Sequence, residues 1–110
     1  MITERDKFMR MLVFFDLPVK TKDMMKQANK FRKTLLNDGF QMLQLSVYSR
    51  IIRNDCNVET HLAHIKKQIP PHGSIRVLTV TEKQYASMEI LVGEKTKQEE
   101  KIGSQQLLLF

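Results

Sequence analysis

Two stretches of this chain repeat apolar residues at i, i+4, i+7 and i+11: Met24, Ala28, Phe31 and Leu35, then Val58, Leu62, Ile65 and Ile69. That spacing lines each set along one stripe of an α-helix, so each helix must bury one flank against something else. The intervening segments read as strands. Residues 9–17, which include MLVFFD, alternate and then turn uniformly apolar, as a central strand does, and Pro18 stops them. FQMLQLSVYSRII, residues 40–52, puts Leu43, Leu45 and Val47 on one face and Gln44, Ser46 and Tyr48 on the other. It is too long for an average strand, so a turn near Gln44–Ser46 is expected to divide it in two. SIRVLTVT, residues 74–81, is β-branched and alternating, a further strand.

Local signals set the helix ends. Thr21 is a candidate N-cap for a helix running to about Asn37, and Gly39 follows where a left-handed C-cap is favoured. Asn54 or Asp55 can cap the second helix, which runs to about Gln68 before Pro70, Pro71 and Gly73 end it. EKQYASM, residues 82–88, suggests one more helical turn.

The order strand, helix, two strands, helix, strand is the βαββαβ pattern. The expected class is therefore α+β: a ferredoxin-like sandwich of one antiparallel sheet with two helices on one face and an extra C-terminal strand. Residues 1–93 form the domain, the charged EKTKQEEKIGS at 94–104 is a linker, and QQLLLF at 105–110 is a tail strand. Left in water, the tail would expose Leu107, Leu108, Leu109 and Phe110, each worth roughly 1.5–3 kcal/mol if buried. The second face of the sheet lacks a cover as well. A second copy of the chain is a candidate to cover that face, and the tail too should find a surface.

Charge narrows the partner. Lys and Arg number 18 against 12 acids, for a net charge of +6, which favours polyanions such as nucleic acid. The lone Cys56 suits a reducing cytoplasm, and neither a signal-peptide core nor a membrane-length apolar run is present.

In so basic a chain, the single acid ending the first apolar strand, Asp16, stands out. Hard cations such as Mg²⁺ take carboxylate oxygens, and two copies meeting about a two-fold axis would bring two Asp16 side chains together. The alternative is a loop cap, with Asp16 accepting from backbone N–H groups near Val19–Thr21. Lys20, Lys22, Lys26, Lys30 and Lys33, with Arg50 and Arg53, are candidate phosphate contacts, although a solvated helix face explains the lysines equally. Ser46, Tyr48 and Ser49 lie near Gln44, but no His stands in a nucleophile-base motif. His61 and His64, with Cys56, lack a fourth ligand for zinc and read as surface histidines. Met24 and Met25 read as core filling. With no aromatic RNP pair, zinc-finger spacing or Trp, any nucleic-acid contact is expected to be to backbone and shape.

The combination of LVFFDLP, a basic helix, QLSVYS at 44–49 and RVLTVTEKQYASM at 76–88 resembles the CRISPR-associated adaptation protein family usually numbered two, in its type II form, over about residues 9–93. The resemblance implies a homodimer of ferredoxin-like subunits, with Asp16 of each at the interface binding Mg²⁺ and the last strand crossing to the partner's sheet. It implies one of two activities. The first is bridging integrase dimers while holding foreign double-stranded DNA by its backbone during spacer acquisition. The second is metal-dependent endonuclease action on RNA or DNA through the paired Asp16 carboxylates. The abundance of Lys over acids favours the bridge, with the nuclease as the alternative. Lys20 and Lys22 match the family's phosphate-contacting region, where Lys keeps the charge of the commoner Arg but not its bidentate fork. A regulatory module binding a small ligand is a third use of such a fold.

Overall fold

The computed structural model describes residues 8–53 and 58–92. In order these form β1 (Phe8–Asp16), α1 (Lys22–Asn37), β2 (Gln41–Gln44), β3 (Val47–Arg53), α2 (Val58–Lys66), β4 (Ser74–Thr81) and α3 (Glu82–Ala86). The expected caps Asn54 and Asp55, Cys56, the linker at 94–104 and the tail at 105–110 lie outside the described residues.

The sheet is antiparallel with order β2-β3-β1-β4, so the most apolar strand is central and pairs with both neighbours. Its register places Met9, Met11, Val13 and Phe15 on one face, beside Ile52 and Tyr48 of β3 and Ile75 and Val77 of β4. Phe31 and Leu35 from α1 and Ile65 from α2 pack on that face. Phe15 meets Phe31 edge-on at 5.4 Å between ring centres and Tyr48 at 5.5 Å, arrangements that add to simple area burial. This is the ferredoxin-like α+β sandwich.

Thr21 caps α1, its hydroxyl accepting from Met24 N–H at 3.1 Å, and Gly39 beyond the helix has φ +89°. The long 40–52 stretch divides at Leu45–Ser46, as its length demands. Ser46 adopts φ +65°, and its carbonyl accepts Phe15 N–H at 3.0 Å, which ties the turn to the end of β1.

Three details depart from the sequence reading. Met25, expected to fill the core, is 49% exposed on α1. The second helix ends at Lys66, short of Gln68, because Gln68 N–H bonds the Ile65 carbonyl in a tighter i→i−3 turn ahead of Pro70, leaving Ile69 half exposed. His61 is buried, not on the surface: its Nδ1 lies 2.9 Å from Asp38 Oδ2, and its ring meets Phe40 edge-on. Asp38 terminates α1, so a contact made only after both helices pack decides the fate of that histidine.

The other face of the sheet carries Arg10, Leu12, Phe14 and Asp16 on β1 beside Val47, Ser49 and Ile51 on β3 and Ser74, Arg76 and Leu78 on β4. Neither α1 nor α2 covers it. Phe14 is 37%, Ile51 50% and Leu78 52% exposed. The short α3 reaches this face near the start of β1, held by Arg10, which grips Glu82 bidentately at 2.8 and 3.1 Å and lies 4.2 Å from the Tyr85 ring centre.

Candidate metal and nucleic-acid site

Asp16 ends β1, exposed and on the open face, opposite Ser74 of β4. Its carboxylate makes no hydrogen bond or ion pair among the described residues, so the loop-capping bonds to residues 19–21 are not formed there. The apolar strand therefore delivers a carboxylate to the rim of the sheet and leaves both oxygens for another group. A hollow of about 220 Å³ opens beside it, lined by Phe14, Phe15, Asp16, Ser46, Val47, Ser74 and Arg76.

Backbone geometry also fixes the end of β1 beside this hollow. Gly73 has φ +108°, and a Cβ there would stand 2.7 Å from the Asp16 carbonyl oxygen and 2.8 Å from Leu17 Cδ2. Only glycine lets the strand leading into β4 lie this close to the end of β1. On the opposite side, the Ser46 carbonyl fixes Phe15 through its N–H.

The donor set suits a hard cation that keeps most of its water: an exposed carboxylate, with the hydroxyl-bearing Ser46 and Ser74 lining the same hollow. Among the described residues no group of three His, Cys, Asp or Glu side chains gathers to hold a metal. One chain contributes one carboxylate.

The lysines form a separate feature. Lys20 is exposed in the loop after β1, and Lys22, Lys26, Lys30 and Lys33 are exposed on α1, away from the buried Ala28, Phe31 and Leu35. Successive lysines along α1 stand about 4.5–6 Å apart along the helix axis. The arginines of β3 divide between the faces. Arg50 shares the helix-covered face with Met11, its guanidinium packed over Gly39 and 3.9 Å from Asp38, while Arg53 pairs with Phe8 on the open face.

Sequence reading did not single out Ser74 or Arg76 and saw Ser46 only as a hydroxyl beside Gln44. Ser74, Arg76 and Leu78 alternate on one face of SIRVLTVT, a visible signal, but which face and which neighbour depend on the β1–β4 register.

Residues 9–88 match the family model described as CRISPR associated protein Cas2. The chain belongs to the Cas2 family. It is 50% identical over 102 residues to the CRISPR-associated endoribonuclease Cas2 of Acidovorax ebreus, covering 93% of this chain and 100% of the relative. The protein of the same name from Treponema denticola is 51% identical over 86 residues, 78% of this chain and 85% of that one. A solved structure described as the crystal structure of cas2 superposes with a TM-score of 0.57 at 16% identity, covering 82% of this chain and 92% of that chain, a likeness of fold. For this Cas2-family chain, no helix among the described residues is long and apolar enough to cross a membrane.

Proposed function

We propose that this chain is a Mg²⁺-dependent endonuclease, acting on single-stranded RNA or duplex DNA as a homodimer in which two Asp16 carboxylates share the cation. The observation that carries this is the Asp16 carboxylate, exposed at the rim of a hollow on the open face and engaged by no other group among the described residues. The name endoribonuclease borne by relatives near half identity supports a phosphodiester substrate, RNA first. This nuclease activity, the alternative of the sequence reading, takes the first place there given to the bridge.

The residues divide the work. The open face, with Phe14, Ile51 and Leu78 exposed, is the surface two copies would bury against each other. The tail at 105–110 would cross to the partner's sheet. Bound Mg²⁺ supplies positive charge at the phosphate and lowers the pKa of water. Asp16 would hold the cation at the strand end, in the hollow that Phe14 and Val47 also line.

Substitution Asp16→Asn keeps the shape and removes the charge. Purified wild-type protein is expected to cleave labelled RNA with Mg²⁺ and not in EDTA, and the variant to lose that cleavage. Equal cleavage by both proteins would overturn the assignment.

The α1 lysines favour a second reading, in which the homodimer bridges integrase subunits and holds foreign double-stranded DNA by its phosphates during spacer acquisition, in the cytoplasm. The two readings use different surfaces. Asp16→Asn would leave such bridging intact, and retention of a purified integrase partner by the wild-type protein is the direct measurement.

A further inference from the structure

Arg76 is the unexplained charge of the candidate site. It lies on β4 directly across from Phe14, on the same sheet face as Asp16, whose own cross-strand partner is Ser74. Arg76 and Asp16 are therefore diagonal neighbours, a relationship that puts their Cβ atoms about 7–8 Å apart, within the reach of long side chains. Both line the 220 Å³ hollow. Opposite charges at such range can close into an ion pair, yet no N–O approach within 4.0 Å joins them among the described residues. Arg76 is exposed and makes no other hydrogen bond, ion pair or ring contact there. Its counterpart on β1, Arg10, is fully engaged by Glu82 and Tyr85, so the idle state of Arg76 is specific to its position.

A carboxylate and a guanidinium facing one hollow without touching leave room for a group that satisfies both. A phosphodiester does so: one oxygen goes to a cation held by Asp16, and another accepts from the planar N–H fork of the guanidinium, which fits phosphate bidentately. Carboxylate and phosphate alone would repel. We propose that Arg76 is a phosphate-gripping catalytic residue, which binds the phosphodiester held at Asp16 and stabilises the negative charge that builds on its oxygens during cleavage. This rests on the nuclease reading above and adds to it the residue that recognises the substrate's charge. The lysines of α1 are on the opposite side of the sheet and cannot take this role.

The test uses the full-length protein, single-stranded RNA and the variants Arg76→Gln, Arg76→Lys and Asp16→Asn. With Mg²⁺, Arg76→Gln is expected to lower kcat by about 100-fold or more, the scale of losing one charge-stabilising donor, and Arg76→Lys to recover part of it. A second readout needs no cleavage: anisotropy binding, with Ca²⁺ replacing Mg²⁺, of an RNA in which one central phosphate is a neutral methylphosphonate. Wild-type protein should prefer the native RNA, and Arg76→Gln should lose that preference. Cleavage abolished in Asp16→Asn but unchanged in Arg76→Gln overturns this proposal alone, whereas no Mg²⁺-dependent cleavage by wild type overturns the nuclease reading and this proposal with it. Sedimentation provides the third arm. If Arg76→Gln turns the homodimer into monomer, Arg76 is an ion-pairing residue between copies and the proposal fails.

Discussion

Gly73 lies against the Asp16 backbone so closely that any side chain at position 73 would collide with the Asp16 carbonyl oxygen, 2.7 Å from where its Cβ would stand. The neighbouring atoms are backbone and the Leu17 side chain, which packs against the core and has little freedom to retreat. The positive φ of +108° adds a conformational penalty for any L-residue. Gly73→Ala is therefore expected to destabilise the fold by about 1–3 kcal/mol in urea denaturation and to weaken cleavage more than its stability loss explains, because the strain falls on Asp16.

Asp38 ties the end of α1 to α2 by accepting from His61 Nδ1 at 2.9 Å, with His64 Nδ1 at 3.6 Å and the Arg50 guanidinium at 3.9 Å around the same carboxylate. Asp38→Ala leaves a buried imidazole nitrogen without its partner, and a loss of about 1–3 kcal/mol is expected. Asp38→Asn keeps an acceptor and should lose less. Equal stability of the alanine variant and wild type in urea would contradict this.

On the open face, Leu78 pairs with Leu12 across β4 and β1, and Phe14 is one register step away. A carboxylate at Leu78 would be buried if two copies pack there. Leu78→Glu is expected to sediment as a monomer with unchanged secondary structure by circular dichroism. In the wild-type protein Mg²⁺ should tighten the dimer, and Asp16→Asn should remove that dependence. A Leu78→Glu variant that remains dimeric would place the contact elsewhere.

The lysines of α1 are separable from all of this, because they are exposed on the far side of the helix from its buried stripe. Replacing Lys22, Lys26 and Lys30 with Ala should leave folding intact and weaken duplex DNA binding. The slope of log K against log salt should shrink by up to about 3, nearly one per lost phosphate contact. An unchanged slope would show that this row is simply a solvated face.

Most of the elements were legible from local patterning alone. Periodicity identified α1 with its buried Ala28, Phe31 and Leu35, the cap at Thr21, the turn that splits residues 40–52, and a central β1 ending in Asp16. These are local matters, since the spacing of apolar side chains and the needs of unpaired backbone groups act within a few residues. Which residues come together depended on long-range packing and strand register. The burial of His61 by Asp38, the turning of Arg50 under the helices, and the placing of Asp16 opposite Ser74 and in one hollow with Arg76 relate residues 23, 12, 58 and 60 positions apart. Strand register sets the last of these placements, and a shift of one residue would send Arg76 to the opposite face, so alternation within β4 alone left its neighbours open.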